Sequence, residues 1–355
     1  MQLLPRAEPS TAALLGAPVA ALLVALAAGS LLLLWAGAPV GRAYALLAEG
    51  AWGSRFAWSE TFTRATPLIL TGLAAAVAFR ARLFNIGAEG QLYLGALAAV
   101  AVAGRFAAGV WALPAPAAFA VMVGAGMLAG ALALLLPAWL KTGLGVDEVV
   151  TTLLLNFIAL LFVSMMLDGP MKDPAALGWP QSVAVPPELE FGRLFERSRV
   201  HSGLGLALLL AVLAWLVERW TTFGVAMHAV GANARAAAFA GFPVRRVVLV
   251  TALASGALAG LAGVGEVAGR AGYLTLDMSP GYGYAGIVIA MLAGLHPLGV
   301  VGAALFVSSV LVGADSMSRT LGVPTYLADV MVAVALLAML VAGLFTRYRV
   351  VWRAA

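Results

Sequence analysis

The chain has 355 residues, 63% of them hydrophobic and only 10% charged, with a net charge of +5 and a mean hydropathy of +1.00. Soluble domains carry about a quarter charged residues, so a water-soluble core is excluded. The apolar runs are long and do not alternate, which speaks against a β-barrel and predicts an all-α integral membrane protein. No cysteine is present, so no disulfide supports the fold. The basic surplus fits loops at a membrane surface and calls for no nucleic acid partner.

Apolar stretches between charges predict about ten transmembrane helices in one transmembrane domain over 1–355. The first, 12–36, is longer than the apolar core of a signal peptide and reads as a span. The next two, 65–79 and 91–104, are short and flank a polar, Gly-rich link. That pattern predicts broken helices near 80–95. A fourth span, 116–136, carries glycines and alanines at helical spacing that permit close packing. The fifth, 149–167, holds Asn156 among leucines. Residues 168–201 are the longest hydrophilic segment and read as an external loop. Spans at 202–217, 247–265, 282–295, 298–313 and 326–344 follow, the last with Asp329 near its start. The tail from Arg347 is basic and aromatic, as at a cytoplasmic interface. Lys and Arg are nearly balanced between the two sides, so the orientation rests on this tail and on the Arg-rich segment 218–246. Residues 64–104 and 246–294 share an outline of span, polar Gly-rich hinge and span, which suits two five-helix halves with a site between them.

The link reads F-N-I-G-A-E-G-Q-L-Y-L-G from Phe84 to Gly95. This stretch resembles the signature of bacterial ABC-transporter permeases of the simple-sugar, nucleoside and branched-chain amino acid class. The block G-V-D-E-V-V-T-T-L-L-L-N-F from Gly145 and the G-P-M-K-D-P stretch from Gly169 resemble the nucleoside branch of that class. That branch works with a lipoprotein of the basic-membrane-protein type. The resemblance implies a multi-pass protein of the bacterial cytoplasmic membrane. It implies separate ATPase subunits that bind the ATP, and a second permease chain as the partner in a heterodimer. A simple sugar such as ribose is the alternative substrate, and an ion-coupled carrier a more distant rival.

Polar groups next to lipid-class sequence are costly unless they face protein or water. Asn85, Glu89 and Gln91 therefore line a substrate path or gate, or cap helix ends and hold the turn by hydrogen bonds. Asn156 can bind substrate or join two helices. Tyr282, with Tyr273 and Tyr284, can stack on a base or anchor an interface. Glu266 and Arg270 are spaced for an ion pair on one helix face. His228 and His296 are isolated in sequence, and nothing marks a metal site.

Segment 218–246 has an Ala-rich core from Gly231 to Gly241, with Asn233 as a candidate N-cap and Gly241 with Pro243 as a stop. It resembles the coupling motif of the same permease class at Gly231, Asn233, Ala236, Ala237 and Gly241. Ala234 replaces the usual proline and Phe242 the usual isoleucine. The resemblance implies a cytoplasmic loop that docks on an ATPase. The chain has no phosphate-binding G-x-x-x-x-G-K-[ST] and no catalytic motif, so no ATP hydrolysis is expected on it, nor any cofactor.

Overall fold

A computed structural model describes residues 2–5, 11–110, 113–196, 198–324, 326–327, 330–331, 333–334, 337–338, 341–342 and 348–351, with side chains from residue 23 to 342. The helices are α1 (Thr11–Trp35), α2 (Val40–Trp52), α3 (Arg55–Arg80), α4 (Ala88–Ala107), α5 (Ala115–Leu144) and α6 (Glu148–Asp168). They continue with α7 (Gly203–Trp220), α8 (Thr222–Ala232), α9 (Ala234–Phe239), α10 (Val244–Gly265), α11 (Tyr282–Leu292) and α12 (Pro297–Leu321). A π-helical turn, Glu266–Ala271, prolongs α10. The departure from an all-α chain is a two-stranded antiparallel pairing of β1 (Gln2–Pro5) with β2 (Tyr348–Val351).

Seven described helices are long and apolar enough to cross a membrane, or eight if the sharply bent pair of α1 and α2 forms one span. This departs from the ten expected spans. The stretch 282–295 yields only the 11-residue α11, too short to cross. The stretch 326–344 is only partly among the described residues, and Asp329 lies outside them. The spans flanking the polar link are not short. Helix α3 runs through Glu60 and Arg64, and α4 begins before Glu89, so both reach membrane length. The interruption itself is real and covers residues 81–87.

The chain divides into two compact units, 1–61 with 306–355, and 62–305. This division cuts α3 and α12 and does not follow two successive five-helix halves. In the first unit Leu33, Ala43, Ala314 and Met317 form an apolar core. Gly313 lies against the Leu47 carbonyl, where a Cβ would come within 2.2 Å.

In the second unit α3, α4 and α10 are mostly buried, whereas α5, α6 and α7 expose most of their apolar surface. That surface, with Leu132, Phe157, Ile158 and Leu161 among its members, suits lipid or a partner helix. The inner contact is made by glycine. A Cβ on Gly130 would lie 2.3 Å from the Gly256 carbonyl, and one on Gly260 the same distance from the Gly126 carbonyl. Gly95 on α4 meets Gly260 as closely. Helices α4, α5 and α10 therefore touch backbone to backbone, as small residues allow.

Local signals set the breaks. Gly145 ends α5 in the left-handed region at φ 69°, and Asp147 caps α6 by accepting from the Val149 and Val150 amides. The segment between α6 and α7 meets the π turn through the Val185 amide, which donates to Gly272, and the Phe191 amide, which donates to Ala268.

Gly130→Ala is expected to lower thermal stability by about 1–3 kcal/mol, through overpacking against α10. Gly124→Ala on the same helix meets nothing within 4 Å and is expected to be neutral or slightly stabilising. Thermal unfolding of both variants in detergent, followed by size-exclusion recovery, checks the contrast.

Candidate functional site

The link 81–87 leaves backbone groups without helical partners, and helix α6 supplies most of the replacements. Three of its polar side chains stand at every fourth position, hence on one face. Glu148 accepts from the Phe84 amide at 3.3 Å. Thr152 accepts from the Ile86 amide at 3.3 Å. Asn156 donates to the Ile86 carbonyl and accepts from the Gly90 amide, both at 2.8 Å. Lys141 adds a bond to the Arg82 carbonyl and pairs with Glu148. Gly87 and Gly90 are where this ladder comes closest. A Cβ there would sit 3.1 Å from the Thr152 carbonyl and 2.9 Å from Asn156 Oδ1.

The other side of the link is closed by amides. Asn85 and Gln91 exchange two hydrogen bonds, at 2.9 and 2.8 Å, and Asn85 also donates to Ser255 of α10. Ser255 in turn donates to the Ala74 carbonyl of α3. Asn85 Oδ1 accepts from the Gly87 amide. Asn85 and Asn156 are fully buried, and Glu89 and Gln91 nearly so.

The start of α11 meets the same place. Glu89 accepts from the Gly283 amide at 2.6 Å, and Tyr93 donates to the Leu276 carbonyl. Tyr282 is buried, and its carbonyl accepts from Thr71 of α3. Tyr284 accepts from Asn156 at 3.2 Å. The two segments that share the span–hinge–span outline thus pack on one another.

All five residues expected along a path or gate, Asn85, Glu89, Gln91, Asn156 and Tyr282, therefore gather around one link. Asn85, Glu89, Gln91 and Asn156 bond there to backbone and to other side chains. Beside them lies a mainly apolar cavity of about 160 Å³ between α4, α5 and α6, lined by Gly90, Gln91, Leu136, Thr152 and Phe162 among others. Sequence reasoning missed Glu148 and Thr152. The signal was available: polar residues at every fourth position ending at Asn156.

Segment 218–246 rests on this link. A Cβ on Gly231 would lie 1.9 Å from the Arg80 carbonyl. Ala226, Met227, Val230 and Ala237 share a core with Ala78, Ala81 and Leu83, and Phe242 packs against it. Asn233 caps α9, accepting from the Arg235 and Ala236 amides at 3.0 and 3.1 Å, as expected. Gly241 turns the chain at φ 86°, and Phe242 donates its amide to Ala237. Ala236 is exposed, whereas Ala237 faces inward at 4% exposure.

An ionic node ties these parts. Arg80 pairs with Glu218 at 2.6 Å and donates to the Leu295 carbonyl, and His228 approaches the same carboxylate at 3.2 Å. His228 and His296, isolated in sequence, line one cavity of about 360 Å³ with Trp215, Glu218 and Arg219. Among the described residues, no three His, Asp or Glu side chains cluster as metal ligands.

A second polar cluster lies at the π turn. Glu266 is buried and pairs with Arg270 at 2.6 Å, as the spacing predicted. His201, just before α7, is buried against Gly269 and accepts from the Gly203 amide. Burial, reinforced by the Arg270 cation, pushes its imidazole down to about 4, so it is neutral at physiological pH.

Asn156→Leu leaves the Ile86 carbonyl and the Gly90 amide without partners, at about 1–3 kcal/mol each. The expected outcome is a marked fall in thermal stability with little change in the substrate KM of the surviving protein. A raised KM with stability intact would assign Asn156 to substrate instead.

Residues 57–340 match the model of the branched-chain amino acid transport system permease component. The chain is 36% identical to the glucose ABC transporter permease protein TsgB13 of Haloferax volcanii, over 99% of this chain and 93% of that protein. It is 36% identical to the guanosine ABC transporter permease protein NupP of Bacillus subtilis, over 90% and 91% of the two chains. The nucleoside ABC transporter permease protein NupB of Lactococcus lactis is 31% identical over 80% and 79%. A multi-pass helical chain, matched over most of its length, belongs to the family of branched-chain amino acid transport system permease components.

Proposed function

We propose that this chain is the transmembrane permease subunit of an ATP-driven importer of nucleosides in the bacterial cytoplasmic membrane. The observation that carries the reading is the seat of segment 218–246 on the α3–α4 link, inside a chain of this permease family. A short capped helix mounted on the buried link is a means of passing motion from outside the bilayer into the bundle. The relatives named for guanosine and for nucleosides support the substrate class.

In this reading segment 218–246 is cytoplasmic and α9 docks on an ABC ATPase subunit, where the ATP is bound and hydrolysed. The chain itself is not an enzyme and holds no cofactor. A second, different permease chain completes the path. A substrate-binding lipoprotein delivers its load to 168–201 on the outer face. Closure of the ATPase pair moves the docking helices, and the bundle rocks between outward- and inward-facing states.

One observation favours a second substrate class. The relative matched over nearly the whole chain is named for glucose, so a simple sugar is the alternative cargo of the same machine.

Uptake of radiolabelled guanosine is expected to vanish when the partner ATPase is deleted and to return on its re-expression. Uptake that persists on an ion gradient alone would overturn the importer reading. A preference for glucose over guanosine in the same assay would select the sugar alternative.

A further inference from the structure

Half of the residues that mark the Gly231–Phe242 motif face inward. Gly231 is pressed on the Arg80 carbonyl, Ala237 is in the core, Phe242 packs beneath it, and Asn233 and Gly241 shape the two ends of α9. The outward face carries a different feature. Phe239 is 97% exposed at the last position of α9. Arg235 stands one turn before it, also exposed, and Arg245 and Arg246 are exposed in the first turn of α10. From Arg219 to Arg246 there is no Asp or Glu at all.

We propose that Phe239 is the anchor by which this segment seats in the ATPase subunit, in an apolar pocket whose rim is acidic. The inference rests on the importer reading above. A fully exposed phenylalanine on a soluble face leaves its ring in water, and insertion into a pocket is the burial that recovers this. Apart from Arg235, one turn before the ring, the other exposed positions of α9 are alanines, Ala234, Ala236 and Ala238, so little bulk holds a partner surface away from the ring. The helix is fixed at both ends, by the Asn233 cap and the left-handed Gly241, so little ordering cost remains for docking. The arginines, with no acid beside them in sequence, call for a carboxylate-bearing rim and give the contact its orientation. A lipid surface fits this face less well. Helices that lie in a membrane interface present a broad apolar face, and α9 offers one large apolar side chain in six residues.

The test uses the permease in nanodiscs and its cognate ATPase subunit, identified by the loss of uptake on its deletion. Binding is titrated for wild type, Phe239→Ala, and the combination Arg235→Ala, Arg245→Ala, Arg246→Ala. Phe239→Ala is expected to weaken binding about tenfold or more, with thermal unfolding unchanged. The triple variant is expected to bind more weakly and with a flatter salt dependence. Wild-type affinity for Phe239→Ala would overturn the anchor and leave the importer reading standing on another face of the segment. A wild-type permease that binds no ATPase would overturn both. Titrations repeated in phosphatidylcholine and phosphatidylglycerol discs separate the lipid case. A Phe239→Ala effect confined to phosphatidylglycerol would assign the ring to the membrane and overturn the proposal.

Discussion

The structure depends on one ladder of polar side chains. Glu148, Thr152 and Asn156 rise along a single face of a mostly apolar α6 and satisfy the backbone of the break between α3 and α4. Inside a bilayer an unmet amide or carbonyl costs several kcal/mol, so irregular backbone survives only where protein supplies its partners. The amide pair of Asn85 and Gln91 closes the opposite side. Glycine at 87 and 90 is then a consequence of the ladder, because it lets α6 come close enough to make these bonds.

What rests on the link explains why a membrane protein would keep so polar an interruption. Helix α8 lies with Gly231 on the Arg80 carbonyl, and Ala237 of α9 enters the same core as Ala78 and Ala81. The Arg80–Glu218–His228 node and the Arg80 bond to Leu295 gather four pieces of chain at that point. Nearby in the chain, Asn85 and Gln91 are tied to each other, and Glu89 to the start of α11. Segment 218–246 is thus packed directly against the link that carries the buried amides. The glycine contacts among α4, α5 and α10 extend this close packing across the second unit, and close-packed interiors transmit strain.

Much of this was legible in the residues, and what was legible obeyed local rules. The Asn233 cap, the stop at Gly241, the Glu266–Arg270 pair and the existence of a polar break each follow from side-chain chemistry within a few positions. Span ends were not legible in the same way. Charges were read as limits, yet Glu60 and Arg64 lie within α3. Apolarity alone turned α11 into a span, although its 11 residues cannot cross. Glu148 read as part of a loop because its partner, the Phe84 amide, lies 64 residues away. The direction in which Ala237 and Phe239 face was equally hidden, since it depends on the core beneath α9 and not on the helix itself.

The central claim is that segment 218–246 drives the bundle through its contact with the link. Gly231→Ala probes that contact alone, because its Cβ falls on the Arg80 carbonyl while the exposed face of α9 is untouched. The decisive measurement is the number of ATP molecules hydrolysed per substrate imported by the reconstituted complex. The account predicts a clear rise in that ratio, several-fold or more, with the ATPase still bound. A ratio equal to wild type would contradict it.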